Sequence, residues 1–113
     1  MATSELQIFK AEFFRALAHP VRIQLLELLV KSDRTVQELQ ESLGLEQPLV
    51  SQQLAILRHR GIVTARKEGP MVRYALRDRQ IGDLLDAARR IFNNHLISTT
   101  GMLRELQRER RRG

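Results

Sequence analysis

The stretch TVQELQESLGLEQPLVSQQLAIL, residues 35–57, decides how the rest of the chain is read. Thr35 with Glu38 three residues on has the form of a capping box, in which each side chain satisfies a backbone N–H in the other's turn. Val36, Leu39 and Leu43 then recur at helical spacing. Gly44 stands where that helix must end, because a residue without Cβ accepts positive φ. A second helix starts near Gln47, tolerates Pro48 in its first turn, and runs to about Arg60. At about 100° per residue, Val50, Leu54 and Leu57 fall on one side of it. Pro48, Ser51, Gln52, Ala55 and His59 fall on the other, flanked by Gln47 and Arg58, while Gln53 points toward the flank of the buried side. The outward side is small and amide-rich near its start and cationic near its end. Amides and hydroxyls pair with base edges and cations meet phosphates, so residues 35–60 have the layout of a helix-turn-helix reader of DNA.

The flanking segments support that unit. Upstream, Leu6, Phe9, Phe13, Ala16 and Leu17 recur every three or four residues and predict an amphipathic helix over 5–18, with Ile8 and Phe14 widening its apolar stripe. Pro20 opens the next helix, where Val21, Ile23, Leu25, Leu26, Leu28 and Leu29 are apolar nearly all round; such a helix belongs at the centre of a fold. Downstream, 62–77 alternates with period two around Gly69-Pro70 and predicts a hairpin lined by Arg66, Lys67, Arg73 and Tyr74. A basic two-stranded ribbon directly after a recognition helix is a wing. Helical periodicity returns from Asp78, a helix cap, with Ile81, Leu84, Leu85, Ala88, Ile91, Phe92, Leu96 and Ile97 as a stripe over 78–97. The stretch 104–113 reads as a frayed basic tail.

The expected class is therefore mainly α with a β-hairpin wing, in the order α-α-α-α-β-β-α, as one domain over 1–113. The first and last helices carry more apolar surface than so small a domain needs. Leu6, Phe9, Phe13, Leu84, Leu85, Ala88, Ile91 and Phe92 are accordingly the expected interface with a second copy of the chain.

Charge is unevenly placed. The net charge is +6, yet residues 1–57 carry five basic and seven acidic side chains while 58–79 carry seven and two. The positive charge thus sits directly behind the recognition helix, as a phosphate-facing surface requires. There is no Cys, which removes disulfides, thiolate nucleophiles and thiolate metal sites together. No apolar run approaches the roughly 20 residues of a membrane helix, and the start lacks the pattern of a secretory signal, so a cytoplasmic protein is expected.

Read with FFRALAHPVRIQLLELL, VSQQLAILRHRGIV and ARKEGPMVRYAL, this order of elements resembles the ArsR/SmtB family of bacterial winged-helix repressors over about residues 9–97. The resemblance implies a homodimer paired through its first and last helices, with two recognition helices offered to successive major grooves of an inverted-repeat operator. It places DNA-reading residues at Gln47, Pro48, Ser51 and Gln52, a wing at Arg66 through Tyr74, and a helix-joining turn at Ala18-His19-Pro20. Where the family has Ser as the cap of the recognition helix this chain has Glu46, which can cap but repels nearby phosphate.

Many relatives sense metals. The thiolate pair at the start of the third helix would fall on Thr35 and Gln37, and neither supplies a soft ligand. The last helix offers only Asp83, Asp86 and His95, with Ser98 a turn on, too thin for the four N/O ligands of such a site. No metal or cofactor is expected, and the inducer, if one exists, is not written in the sequence. The leading reading is a sequence-specific, homodimeric repressor acting on double-stranded DNA at its own or a neighbouring operon. The alternative is a nonspecific architectural DNA binder, drawn from the net charge and Arg-rich end. An enzyme has little support, with no Cys, no phosphate-cradling Gly-rich loop, no paired carboxylates in a plausible cleft and no clustered His.

Overall fold

The computed structural model describes residues 3–96 and 100–112. Their contacts cluster into two compact units, Met1–Ile81 and Gly82–Gly113.

The first unit holds four helices and a three-stranded sheet, each started or stopped by an identifiable residue. Helix α1 (Glu5–Leu17) opens on Ser4, whose hydroxyl accepts the Gln7 N–H while Gln7 Oε1 accepts the Ser4 N–H in return. Helix α2 (Pro20–Lys31) opens on His19, whose Nδ1 accepts the Val21 N–H at 3.1 Å. His19 therefore closes the expected turn as the acceptor that Pro20, lacking an N–H, leaves room for. Helix α3 (Val36–Leu43) carries the capping box in full and ends on Gly44 at φ 66°, ψ 32°. Helix α4 (Gln47–His59) follows after three residues, as the spacing predicts.

Strands β2 (Val63–Glu68) and β3 (Met71–Leu76) form the hairpin, with Gly69 at φ 58° in its turn. A two-residue strand β1 (Arg34–Thr35), absent from the sequence reading, pairs antiparallel with β3, giving the sheet order β1-β3-β2. Two residues carry too little periodicity to show themselves in sequence; the partner strand creates this one.

Leu25, Leu26 and Leu29 of α2, Leu39 of α3, Val50, Leu54 and Leu57 of α4, and Val63 of β2 are fully buried. Removing each such Leu from water contributes about 1.5–3 kcal/mol. The all-round apolar helix α2 is central as expected, and the buried stripe of α4 is the one its periodicity marked.

In the second unit the last helix departs from expectation. Asp78 Oδ1 accepts the Gln80 N–H at 2.8 Å, and helix α5 runs over Gln80–Ile91 rather than from 78 to 97. Phe92–Leu96 widen into a π-helical turn that contains the Asn93-Asn94 pair, residues of low helix propensity. Ile97 and Ser98, and the side chains of His95 and Leu96, lie outside the described residues. The expected frayed tail is instead helix α6 (Thr100–Arg112), made almost wholly of strong helix formers. Leu106 is buried, and Arg110 donates to Asn93 Oδ1 at 3.1 Å, so the unit folds back on itself.

Candidate nucleic-acid interface

Four residues on the outer side of α4 are exposed around a half-buried Ser51: Gln47, Pro48, Gln52 and Ala55. Arg58 and His59 are exposed in its last turn. The wheel drawn from the sequence therefore matches the exposure of this helix, and the sharpest contrast lies between neighbours. Gln52 is open to solvent, whereas Gln53 is 7% exposed and its Oε1 meets no hydrogen-bond partner among the described residues. Glu46 occupies the cap position but makes no side-chain capping bond, correcting the expectation that it substitutes for Ser there. The first-turn amides of α4 are thus left to another acceptor, and the Glu46 carboxylate stands beside them.

The hairpin divides its cations between two faces. Arg66 lies opposite Arg73 and Lys67 opposite Val72, and successive residues alternate sides. Arg66, Glu68 and Arg73 therefore share one face, while Lys67 and Tyr74 belong to the other, which buries Val63 nearer the core. The sequence reading had grouped all four as one lining. Lys67 is exposed and makes no ion pair among the described residues. Arg66 is exposed but held by Glu68, at 2.7 Å from Nη2.

Arg73 and Tyr74, the other two expected wing contacts, are half-buried. Arg73 Nε donates to both oxygens of Glu68, at 3.1 and 3.0 Å. Its Nη1 reaches the Asp33 carbonyl at 3.3 Å and lies 3.5 Å from Glu38 Oε1. Glu38 in turn accepts the Thr35 N–H and hydroxyl, each at 3.0 Å. Hydrogen bonds from Arg66 and then Arg73 hold the Glu68 carboxyl below its ordinary range. The backbone N–H and then the hydroxyl of Thr35, with the Arg73 charge behind them, do the same for Glu38.

Sequence reasoning missed this chain of groups, because Glu38 was assigned only its cap and Glu68 no role. The usable signal was the hairpin register: a turn at Gly69-Pro70 sets Arg66 opposite Arg73, two like charges that need an anion between them. Arg60 was also missed; it pairs with Glu12 at 3.2 Å, tying the end of α4 to α1.

Apolar side chains remain exposed on the helices expected to meet a second copy. Leu6 and Phe9 of α1 are 61% and 71% exposed, and Ile91 and Phe92 are 52% and 43% exposed. Phe13, Leu84, Leu85 and Ala88 are half-buried, Phe13 resting edge-on against Phe14 at 5.5 Å between ring centres. No group of three His, Asp or Glu side chains that could hold a metal ion occurs among the described residues, and no described helix is long and apolar enough to cross a membrane.

Residues 19–65 match the model of the bacterial regulatory proteins of the arsR family. Over 108 residues the chain is 44% identical to the HTH-type transcriptional regulator Rv0081 of Mycobacterium tuberculosis, covering 95% of both. The crystal structure of Rv0081 superposes with a TM-score of 0.73 at 46% identity, over 80% of this chain and 91% of that one. The biofilm growth-associated repressor of Xylella fastidiosa is 38% identical over 82 residues, 73% of this chain and 72% of its own. The homodimeric winged helix-turn-helix DNA-binding domain Mb0332 of Mycobacterium bovis superposes with a TM-score of 0.73 at 28% identity, over 88% of this chain and 97% of that one. The first two relatives are named as a transcriptional regulator and a repressor and the third as a DNA-binding domain, which gives no support to the architectural alternative. With helix-turn-helix, wing and flanking helices in the same order, the chain belongs to the ArsR family of winged helix-turn-helix transcriptional regulators.

Proposed function

We propose that the chain is a cytoplasmic, homodimeric repressor that recognises an inverted-repeat operator and occludes a promoter of its own or a neighbouring operon. The observation that carries the reading is the two-sided character of α4. Val50, Leu54 and Leu57 are fully buried, and the opposite side presents Gln47, Ser51 and Gln52 in an uncharged, hydrogen-bonding row. Amide and hydroxyl groups on a helix that fits the major groove read base edges, with Pro48 shaping the approach and Arg58 and His59 meeting phosphate. On the wing, Arg66 and Lys67 supply phosphate contacts with Tyr74 on the Lys67 face, and Arg73 holds the ribbon in place.

Dimerisation draws support from the apolar side chains left exposed on α1 and at the end of α5, and from the homodimeric state of Mb0332. Repression draws support from the Xylella fastidiosa relative. Footprinting on the DNA upstream of the chain's own gene tests the whole reading. Protection of two half-sites about one helical turn apart is expected, with affinity falling steeply as salt rises. Equal affinity for random DNA, or no protected half-sites, overturns it.

A further inference from the structure

Among the described residues a third strand joins the wing over two residue pairs only, near its base. Strand β1 pairs with β3 through Arg34 opposite Tyr74 and Thr35 opposite Arg73, so beyond Arg73 the ribbon has two strands and no third. Lys67 lies in the next pair toward the turn, opposite Val72. An isolated two-stranded ribbon twists readily, so the position of Lys67 depends on whatever fixes the last level below it.

At that level side chains add to the backbone pairing of Thr35 with Arg73. Arg73 Nε spans both oxygens of Glu68 on β2, and its Nη1 turns to the Asp33 carbonyl and to Glu38 in the first turn of α3. One guanidinium thus joins both wing strands to the helix that opens the helix-turn-helix. A guanidinium suits this task because its donors diverge from a rigid plane, which an ammonium cannot reproduce.

We infer that Glu68–Arg73–Glu38 is a positioning brace that sets where the wing's Lys67 meets DNA, so that two acidic side chains on a DNA-binding surface increase affinity. The inference rests on the wing contacting phosphate, as proposed above. It makes a prediction opposite in sign to simple electrostatics. Glu68→Gln adds one unit of positive charge and releases Arg66 and Arg73, which on charge alone strengthens binding to any DNA.

The test is operator affinity against salt for Lys67→Ala, Glu68→Gln and their combination, with Arg73→Lys as the charge-conserving variant and thermal unfolding of each as a check on folding. In the otherwise native chain Lys67→Ala is expected to lower the salt slope by about one per protomer, about two for the dimer on its operator. In the Glu68→Gln background it is expected to change the slope by less than about half that. Glu68→Gln and Arg73→Lys alone are each expected to weaken binding while the folded state persists. Tighter binding by Glu68→Gln, or a Lys67→Ala effect equal in both backgrounds, overturns the brace. No effect of Lys67→Ala in the native background overturns instead the assignment of the wing to phosphate.

Discussion

Thr35 and Arg73 stand opposite one another where β1 pairs with β3, so the residue that caps the first helix of the helix-turn-helix meets the residue that clamps the wing. Each also reaches Glu38, Thr35 through its N–H and hydroxyl and Arg73 through its guanidinium. The cap and the wing therefore share an acceptor, and a change at one is felt at the other.

Replacing Thr35 by Ala removes the hydroxyl that accepts the Glu38 N–H and donates to its carboxylate. Loss of a cap of this kind costs about 1 kcal/mol. At the size of this chain that lowers the midpoint of thermal unfolding by roughly 4 °C. Differential scanning calorimetry of Thr35→Ala and Thr35→Ser is the check, with Ser expected to recover most of the loss.

Gln52 and Gln53 are expected to behave as opposites. Gln52 is exposed and Gln53 buried, so Gln52→Ala should leave stability unchanged and relax base preference by about 1–3 kcal/mol at one position of the operator. Gln53→Met should leave base preference unchanged and not lower stability, since it removes a buried Oε1 that has no partner among the described residues. Binding to a panel of single-base operator variants, beside urea denaturation, separates the two. Unaltered preference in Gln52→Ala removes it from the reading face.

Acid should loosen the brace in a defined window. Glu38 and Glu68 are held below the ordinary carboxylate range by the bonds they accept, so each favours the folded state fully when pH is above the unfolded value, about 4.3. That contribution is lost as pH falls through the lower folded values. Both carboxylates are partly open to solvent, so the effect is small and weakens further in salt. Denaturation midpoints of the native chain and of Glu38→Gln should differ by a constant amount from neutral pH to about 5 and draw together as pH falls through the unfolded value and then the lower folded one. A difference that persists in strong acid would mean the Glu38 charge is not its source.

Phe9 is 71% exposed in the single chain, so Phe9→Glu should cost little in the folding of one copy. In a dimer that buries this side chain it places an unpaired charge at an apolar contact and shifts the population toward monomer. Multi-angle light scattering over a range of concentrations reads the mass directly. A dimer unaffected by Phe9→Glu would move the interface away from α1.

Much of this architecture was legible in the residues because it depends on local rules. The capping box at Thr35 and Glu38, the stop at Gly44, and Pro20 at the start of α2 each act within one turn of helix. The stripe Val50, Leu54 and Leu57 follows from helical period alone, and with it the exposed row on the other side. The division of labour on the wing could not be read that way. Whether Arg73 is a free cation or a clamp is set by Glu68 across a hairpin and Glu38 on another helix, 35 positions away in sequence. The sequence by itself determined α1 to α4 and the hairpin, the buried and exposed sides of the recognition helix, and the sign of the charge behind it. Tertiary structure alone decided which cations are already neutralised, because ion pairing follows distance in space, and β1, the hairpin register and the start of α3 converge only once the chain has folded.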